Sequence, residues 1–321
     1  MKSNNLKGSI ILVLASLIWG LAFVVQNDAN RTIKPFALNG IRSLLGACII
    51  GLYLFIKRQM TQTPVFKNTK EYKRAAVLGG IVCGLLLALA VNFQQLGIAA
   101  YPKGAAIEAR AGFLTALYVI LVPIVSVFFK RKTSAVIWLS VLIATAGVYL
   151  LCLTGGMTGI YLGDVLMFLC AFSFTFHILC VDKFGKILGG PQLSMIQFIV
   201  CGIISSIISL IVEPDMGLNN IYLSLPQLLY MGIMSSGIAY TLQIVGQRYA
   251  EPAVASISMS LESVFATLGG WIIMGNALTI REFFGCVLVF IAIIIAQLPE
   301  MMTKKTEGET VCPECQEEKP L

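Results

Sequence analysis

Residues 75–100 read AAVLGGIVCGLLLALAVNFQQLGIAA, and Tyr101-Pro102 closes the run. No charged side chain interrupts it. A helix crossing a bilayer needs about 20 apolar residues, so this stretch is long enough to span a membrane. A buried helix of a soluble domain rarely stays apolar on every face for so long.

The same pattern recurs along the chain. Ten apolar runs are found: 8–26, 35–56, 75–100, 105–129, 134–153, 161–181, 193–212, 225–247, 253–274 and 282–298. Turn-forming residues separate them, as in Lys34-Pro35, Gly189-Gly190-Pro191, Glu213-Pro214-Asp215 and Glu251-Pro252. Composition agrees: 57% of the 321 residues are hydrophobic and 12% charged. Soluble domains average roughly 25% charged. Lys2 and Lys7 precede the first run, but no small-residue cleavage site follows it, so it reads as a span rather than a signal peptide.

The basic residues fix an expected orientation. With the N-terminus in the cytoplasm, 17 of the 23 Lys and Arg fall in cytoplasmic segments; Arg31, Lys34, Lys103 and Arg281 fall outside. That bias is the positive-inside pattern. It predicts ten spans in a cell membrane with both termini cytoplasmic. The net charge of +7 therefore signals topology and not nucleic acid. Most cysteines sit singly within apolar runs and read as small membrane-buried residues.

The two halves match weakly but in order. Gln95, Tyr101 and Ala105 fall on Gln243, Tyr249 and Ala253 at one offset. An odd number of spans per repeat inverts the second copy. The expected fold is all-α: two inverted five-helix repeats, residues 8–153 and 160–298, around a central cavity. The short charged tail 299–321 reads as disordered, and its Cys312-Pro-Glu-Cys315 supplies only two ligands where a structural zinc site needs four.

Polar residues inside spans mark the expected site, because ionisable groups at membrane depth are costly and usually functional. Glu262 lies deep in the ninth run, either as a cavity carboxylate for a cation, a proton or a substrate amine, or as a structural group bonded to a neighbouring helix. Asn92 and Gln95 share a face of the third run, and Tyr240, Gln243 and Gln247 share one of the eighth. Facing one another, they would line a polar substrate path; as interhelical bonds they would only hold helices together. Trp19 beside Gly20 adds a ring to the same region. Glu108, Arg110 and His177, with Glu262, are candidates for coupling or gating. Arg42, about two turns from a span end, is expected to reach for headgroups. One histidine builds no metal site, and no cofactor motif is present.

With these residues in hand, the chain resembles the drug/metabolite transporter superfamily, and in particular its EamA-type bacterial permeases. The carriers are Ile18-Trp19-Gly20 with Phe23, Arg42, residues 111–118 (AGFLTALY) with Val122-Pro123, Gly163-Asp164, Ala239-Tyr240-Thr241-Leu242-Gln243 and Ser260-Leu261-Glu262. The resemblance implies ten helices around a central cavity and a carrier of small molecules, importer or exporter, without an ATP-binding domain. Glu262-Ser263 stands where relatives commonly have Glu-Pro, and Gly275-Asn276 where they have Gly-Glu. The expected function is secondary transport of a small neutral or zwitterionic metabolite such as an amino acid. The alternatives are a membrane enzyme acting on lipid, which lacks a catalytic motif here, and an assembly partner without transport. The partners expected are the bilayer and a small-molecule substrate, with a homodimer compatible and no nucleic acid.

Overall fold

The computed structural model describes residues 5–102, 107–130, 133–152, 160–274 and 279–309, with backbone alone for 108–110, 151–152, 269–274 and 299–309. Every regular element among them is helical. In chain order these are α1 (Asn5–Ala29), α2 (Pro35–Thr61), α3 (Lys70–Ala100), α4 (Ile107–Ala116), α5 (Tyr118–Phe128), α6 (Ala135–Cys152), α7 (Leu162–Leu188) and α8 (Gly190–Val212). There follow α9 (Leu218–Leu223), α10 (Leu225–Leu229), a π-helical segment (Tyr230–Ala239), α11 (Tyr240–Gln247), α12 (Pro252–Met259), α13 (Leu261–Met274) and α14 (Ile280–Glu309).

Eight helical stretches are long and apolar enough to cross a membrane. Ala135–Leu150 and Pro252–Leu268 are apolar but shorter. Large apolar side chains such as Leu52, Phe55, Leu142, Ile207 and Leu210 are exposed on the bundle's outside. Lipid is the solvent that suits such a surface. The chain is a multi-pass membrane protein. The last helix continues past Leu298 to Glu309; Cys312 and Cys315 lie outside the described residues.

Three expected spans are not simple helices. The fourth breaks at Leu117, whose N–H bonds the Leu114 carbonyl 3.3 Å away, a tightened turn. The ninth breaks at Ser260. Here the cause is legible: Ser256, Ser258 and Ser260 each donate their hydroxyl to a carbonyl in the preceding turn, at 2.8, 2.9 and 2.7 Å. Such back-bonding competes with the helical ladder and bends it. The bend beside Glu262 thus needs no proline. The eighth passes through the π segment, whose Gly232 and Gly237 flank Ser235 and Ser236. π-turns carry a wider ring and cluster at functional sites.

Helices are joined through small residues. Strongest packing is between α3 and α7, α6 and α14, α2 and α8, and α3 and α8, with α1 and α13 next. A Cβ on Gly20 would lie 2.6 Å from Phe265 Cβ and 2.8 Å from the Glu262 carbonyl oxygen. Close backbone approach of this kind lets helices associate in lipid, where no hydrophobic force drives them. Gly20→Ala is therefore expected to cost about 1–3 kcal/mol, read as a lowered unfolding midpoint in detergent.

Polar contacts tie the two ends of the bundle. At the far end from the start of α1, the Glu213 carboxylate accepts from the Phe36 and Ala37 amides at 3.0 and 2.8 Å and from the Ser209 hydroxyl at 2.8 Å. It caps α2, where free N–H groups and the helix dipole favour an anion. Gln227 donates to Asp28 at 2.7 Å beside it. At the near end, the Tyr72 hydroxyl donates to the Leu188 carbonyl at 3.3 Å and Gln192 to Val65 at 3.2 Å. An apolar cluster of Val181, Phe184, Leu188, Leu193 and Ile244 fills that end.

Candidate functional site

The breaks in the fourth and ninth spans meet. Tyr118, the first residue of α5, donates its hydroxyl to Glu262, in the first turn of α13, at 3.0 Å. Both side chains line a central cavity, with Trp19, Phe23 and Gln26 of α1, Arg42 of α2, Gln94 of α3, Thr115 of α4, Phe174 and Ile178 of α7, Ser235 of the π segment, Tyr240 and Gln243 of α11, and Met259 of α12. The empty space among these atoms, counting what opens to solvent, is about 500 Å³, yet only about 40 Å³ admits the centre of a water molecule. That is room for a few waters and not for a metabolite.

The chemistry of the lining is uneven. One wall is aromatic: the Trp19 and Tyr240 rings meet edge to face at 4.8 Å, and Phe198 backs Tyr240 at 5.3 Å. Two ionisable side chains sit in it, nearly removed from solvent: Arg42 is 3% exposed and Glu262 6%. They form no ion pair with each other or, among the described residues, with any other charge. Among the described residues the Arg42 guanidinium meets the Met231 sulfur, at 4.0 Å. The Tyr240 phenol lies within electrostatic reach of both. Trp19 Nε1, Gln26 Oε1 and Gln243 Oε1 are buried without a hydrogen-bond partner. Buried polar groups are nearly always satisfied, so these atoms describe what a ligand or ordered water would have to offer.

Four of the residues picked from sequence meet in this cavity: Trp19, Tyr240, Gln243 and Glu262. Asn92 and Gln95 do not line it, which corrects the expectation of a shared amide path. Asn92 accepts from Asn39 at 2.9 Å and donates to Ser205 at 2.8 Å. Gln95 donates to the Gln26 carbonyl at 3.2 Å and to Asn30 at 2.6 Å. Both amides hold helices together, and Gln94 faces the cavity instead. Asn92→Ala and Gln95→Ala are expected to lose stability, about 0.6 kcal/mol per bond, and to leave the apparent KM for transport unchanged. A purified-protein melt alongside vesicle transport distinguishes the two effects.

Arg42 also corrects its expectation: it turns inward to the cavity rather than toward headgroups. Its place in the shared Trp19-Arg42-Tyr240 motif set was the signal available. Tyr118 was missed although it ends the quoted 111–118 run. His177 is fully buried beside the cavity, bonded to Gln197. The side chains of Glu108 and Arg110 lie outside the described residues, as do Gly275 and Asn276.

The model of the EamA-like transporter family matches residues 6–153 and again 161–297. The chain belongs to the EamA-like transporter family. Curated relatives of this EamA-like protein agree along most of their length. An uncharacterized transporter of Archaeoglobus fulgidus is 29% identical over 92% of this chain and 87% of its own. The uncharacterized transporter YwfM of Bacillus subtilis is 23% identical over 94% and 97%. The uncharacterized inner membrane transporter YedA of Escherichia coli is 22% identical over 88% of each. Among solved structures, a crystal structure of a protein superposes with a TM-score of 0.71 over 94% of this chain and 98% of its own. At 16% identity that likeness concerns the fold alone.

Proposed function

We propose that this EamA-like protein is a secondary transporter that carries a small zwitterionic metabolite across the cell membrane by alternating access. The observation that carries the reading is the pair of unmatched charges, Arg42 and Glu262, lining one central cavity with Tyr240 in reach of both. A buried charge without a partner is costly. A solute bearing a carboxylate and an ammonium supplies both missing partners at once, the guanidinium taking the carboxylate through paired N–H donors. The aromatic wall of Trp19, Phe23 and Phe174 suits an apolar body between the two poles.

Ten spans in two inverted repeats suit the packing. Exchanging each span of one half for its counterpart in the other maps α2–α8 and α6–α14 onto themselves. The same exchange maps α3–α7 onto α1 with the π segment and α11, and α1–α12/α13 onto α7–α4/α5. The doubled family match has the same period. Broken helices at corresponding places in the two halves are where inverted-repeat carriers bind their cargo. The charge bias supports an orientation with the near end, and both termini, in the cytoplasm. The small cavity suits a state closed at both ends, and the polar clasp at Glu213 and the apolar seal at Ile244 are the contacts that would open in turn.

The test is a labelled panel in proteoliposomes. Zwitterions are expected to exchange at least ~10-fold faster than analogues lacking either the amine or the carboxylate, the loss of one charged contact. Equal rates for amine-only or carboxylate-only analogues would overturn the zwitterion reading, and no exchange of any solute would overturn transport.

A further inference from the structure

A second group of buried polar side chains lies beside the cavity, between α7, α8 and α11, each of which touches the other two. It contains His177, Ser194 and Gln197, all without exposed surface, and Gln247, 1% exposed. His177 Nε2 is 3.1 Å from Gln197 Oε1. An amide oxygen can only accept, so in this arrangement the ring proton sits on Nε2 and Nδ1 holds a bare lone pair. No donor meets that lone pair. Gln197 Nε2, Ser194 Oγ and Gln247 Oε1 are likewise without partners, while Gln247 Nε2 donates to the Ile178 carbonyl at 3.1 Å. Polar atoms left over in this way are normally satisfied by buried water.

The group's surroundings give it a direction. On one side the Tyr240 ring, 6.3 Å from the imidazole, leads to the cavity. On the other lies the apolar seal of the near end, where Val181, Leu193 and Ile244 come from the same three helices.

We propose that His177 is a proton-loading site of the carrier, wetted from the near end when the apolar seal opens. The transport role rests on the carrier reading above; the chemistry of the ring does not. A hydronium ion gives its proton to Nδ1: the N–H bond forms, the O–H bond breaks, and water is left. The charged ring then carries two donors. Gln197 Oε1 keeps the first, and the second needs an acceptor that the closed arrangement does not place against Nδ1 and that entering water provides. Closed, the arrangement holds a neutral ring; open, it can hold a charged one.

The neighbouring ionisable groups leave this role to the imidazole. Tyr240 faces it from α11. Cys180 lies three residues along α7, and Cys201 lies one turn beyond Gln197 on α8. Arg42 and Glu262 are within reach of Tyr240, and toward the near end Asp182 pairs with Lys186. The ring itself has no ion pair among the described residues.

His177 is the single histidine of the chain, so ¹⁵N-histidine labelling reads it alone when the protein is purified without a histidine tag. The measurement is solid-state NMR of the full chain in lipid bilayers between about pH 5 and 8, the range of histidine switches. A ring protonated at Nε2 at the upper end, giving way reversibly to a doubly protonated ring in contact with water at the lower end, is expected. Gln197→Leu should abolish the preference for the Nε2 proton. A ring that stays neutral and dry across the range overturns the proposal. So does a charged ring whose nitrogens show no contact with water. A wild-type protein that transports no solute yet shows the wet, titrating ring defeats the carrier reading and not this one.

Discussion

Glu262→Gln is expected to slow net transport by roughly 10- to 100-fold, the span that follows from losing a charged hydrogen bond of about 1.5–3 kcal/mol. The substitution keeps size and keeps an oxygen for the Tyr118 hydroxyl, now 3.0 Å from the carboxylate. Folding should therefore survive, which a melt can verify. What is lost is the negative charge for the substrate ammonium, or for a proton carried in its place. The two roles separate by pH. If Glu262 only holds an ammonium, the variant loses rate and retains the wild-type pH profile. If it also exchanges a proton, the profile flattens on the acid side, where the wild-type carboxylate would be gaining its proton. Unchanged rate together with unchanged profile would remove Glu262 from the site.

The second large effect is expected at Arg42. Arg42→Met replaces the guanidinium with an apolar chain beside Met231, so the helix contacts can be kept while the positive pole is lost. Truncating one member of a buried charge pair costs about 2–5 kcal/mol in complexes. A zwitterion should bind at least roughly 30-fold more weakly, the lower limit of that range. An amine lacking the carboxylate should be affected far less. Arg42→Lys should recover only part of the loss, because an ammonium cannot reproduce the planar pair of donors. Equal losses for zwitterion and amine would mean that Arg42 holds the fold and not the solute.

The sequence carries the membrane architecture more fully than the site. Apolar runs, glycine and proline punctuation and the alternation of Lys and Arg are properties of whole segments, and they survive errors of a few residues. Rotational facing is a finer matter. Asn92, Gln94 and Gln95 lie within one turn of α3, and only the partners Asn39, Ser205 and Asn30 decide that Gln94 is left for the cavity. Arg42 could turn either way on its long side chain, and the inward direction follows from the packing of α2 against the π segment. The breaks at Leu117 and Ser260 hide for a related reason. Serine hydroxyls at 256, 258 and 260 bend α12 through bonds to its own carbonyls, and a hydropathy profile reads those residues only as mildly polar. Glu262-Ser263 lacks the proline that relatives commonly carry there, yet the helix is interrupted beside Glu262 all the same.

Gln197 and Gln247 show the same limit from the other side. Their spacing on α8 and α11 gives no sign that they stand near His177, because that proximity depends on how three helices from one half of the chain close against each other. Trp19 is more legible: a ring next to Gly20, where α1 meets α13 closely, has little choice but to lie along the helix crossing.

Trp19 also supplies the most direct measurement of the bipolar cavity. With Trp138→Phe and Trp271→Phe, its indole is the only tryptophan left in the chain, and it stands 4.8 Å from Tyr240 in the cavity. Its fluorescence should change saturably when a transported zwitterion is added to the purified protein, and Arg42→Met should shift that titration to at least ~30-fold higher concentration. A transported solute that leaves Trp19 unmoved, or a titration indifferent to Arg42→Met, would contradict a substrate held between Arg42 and Glu262.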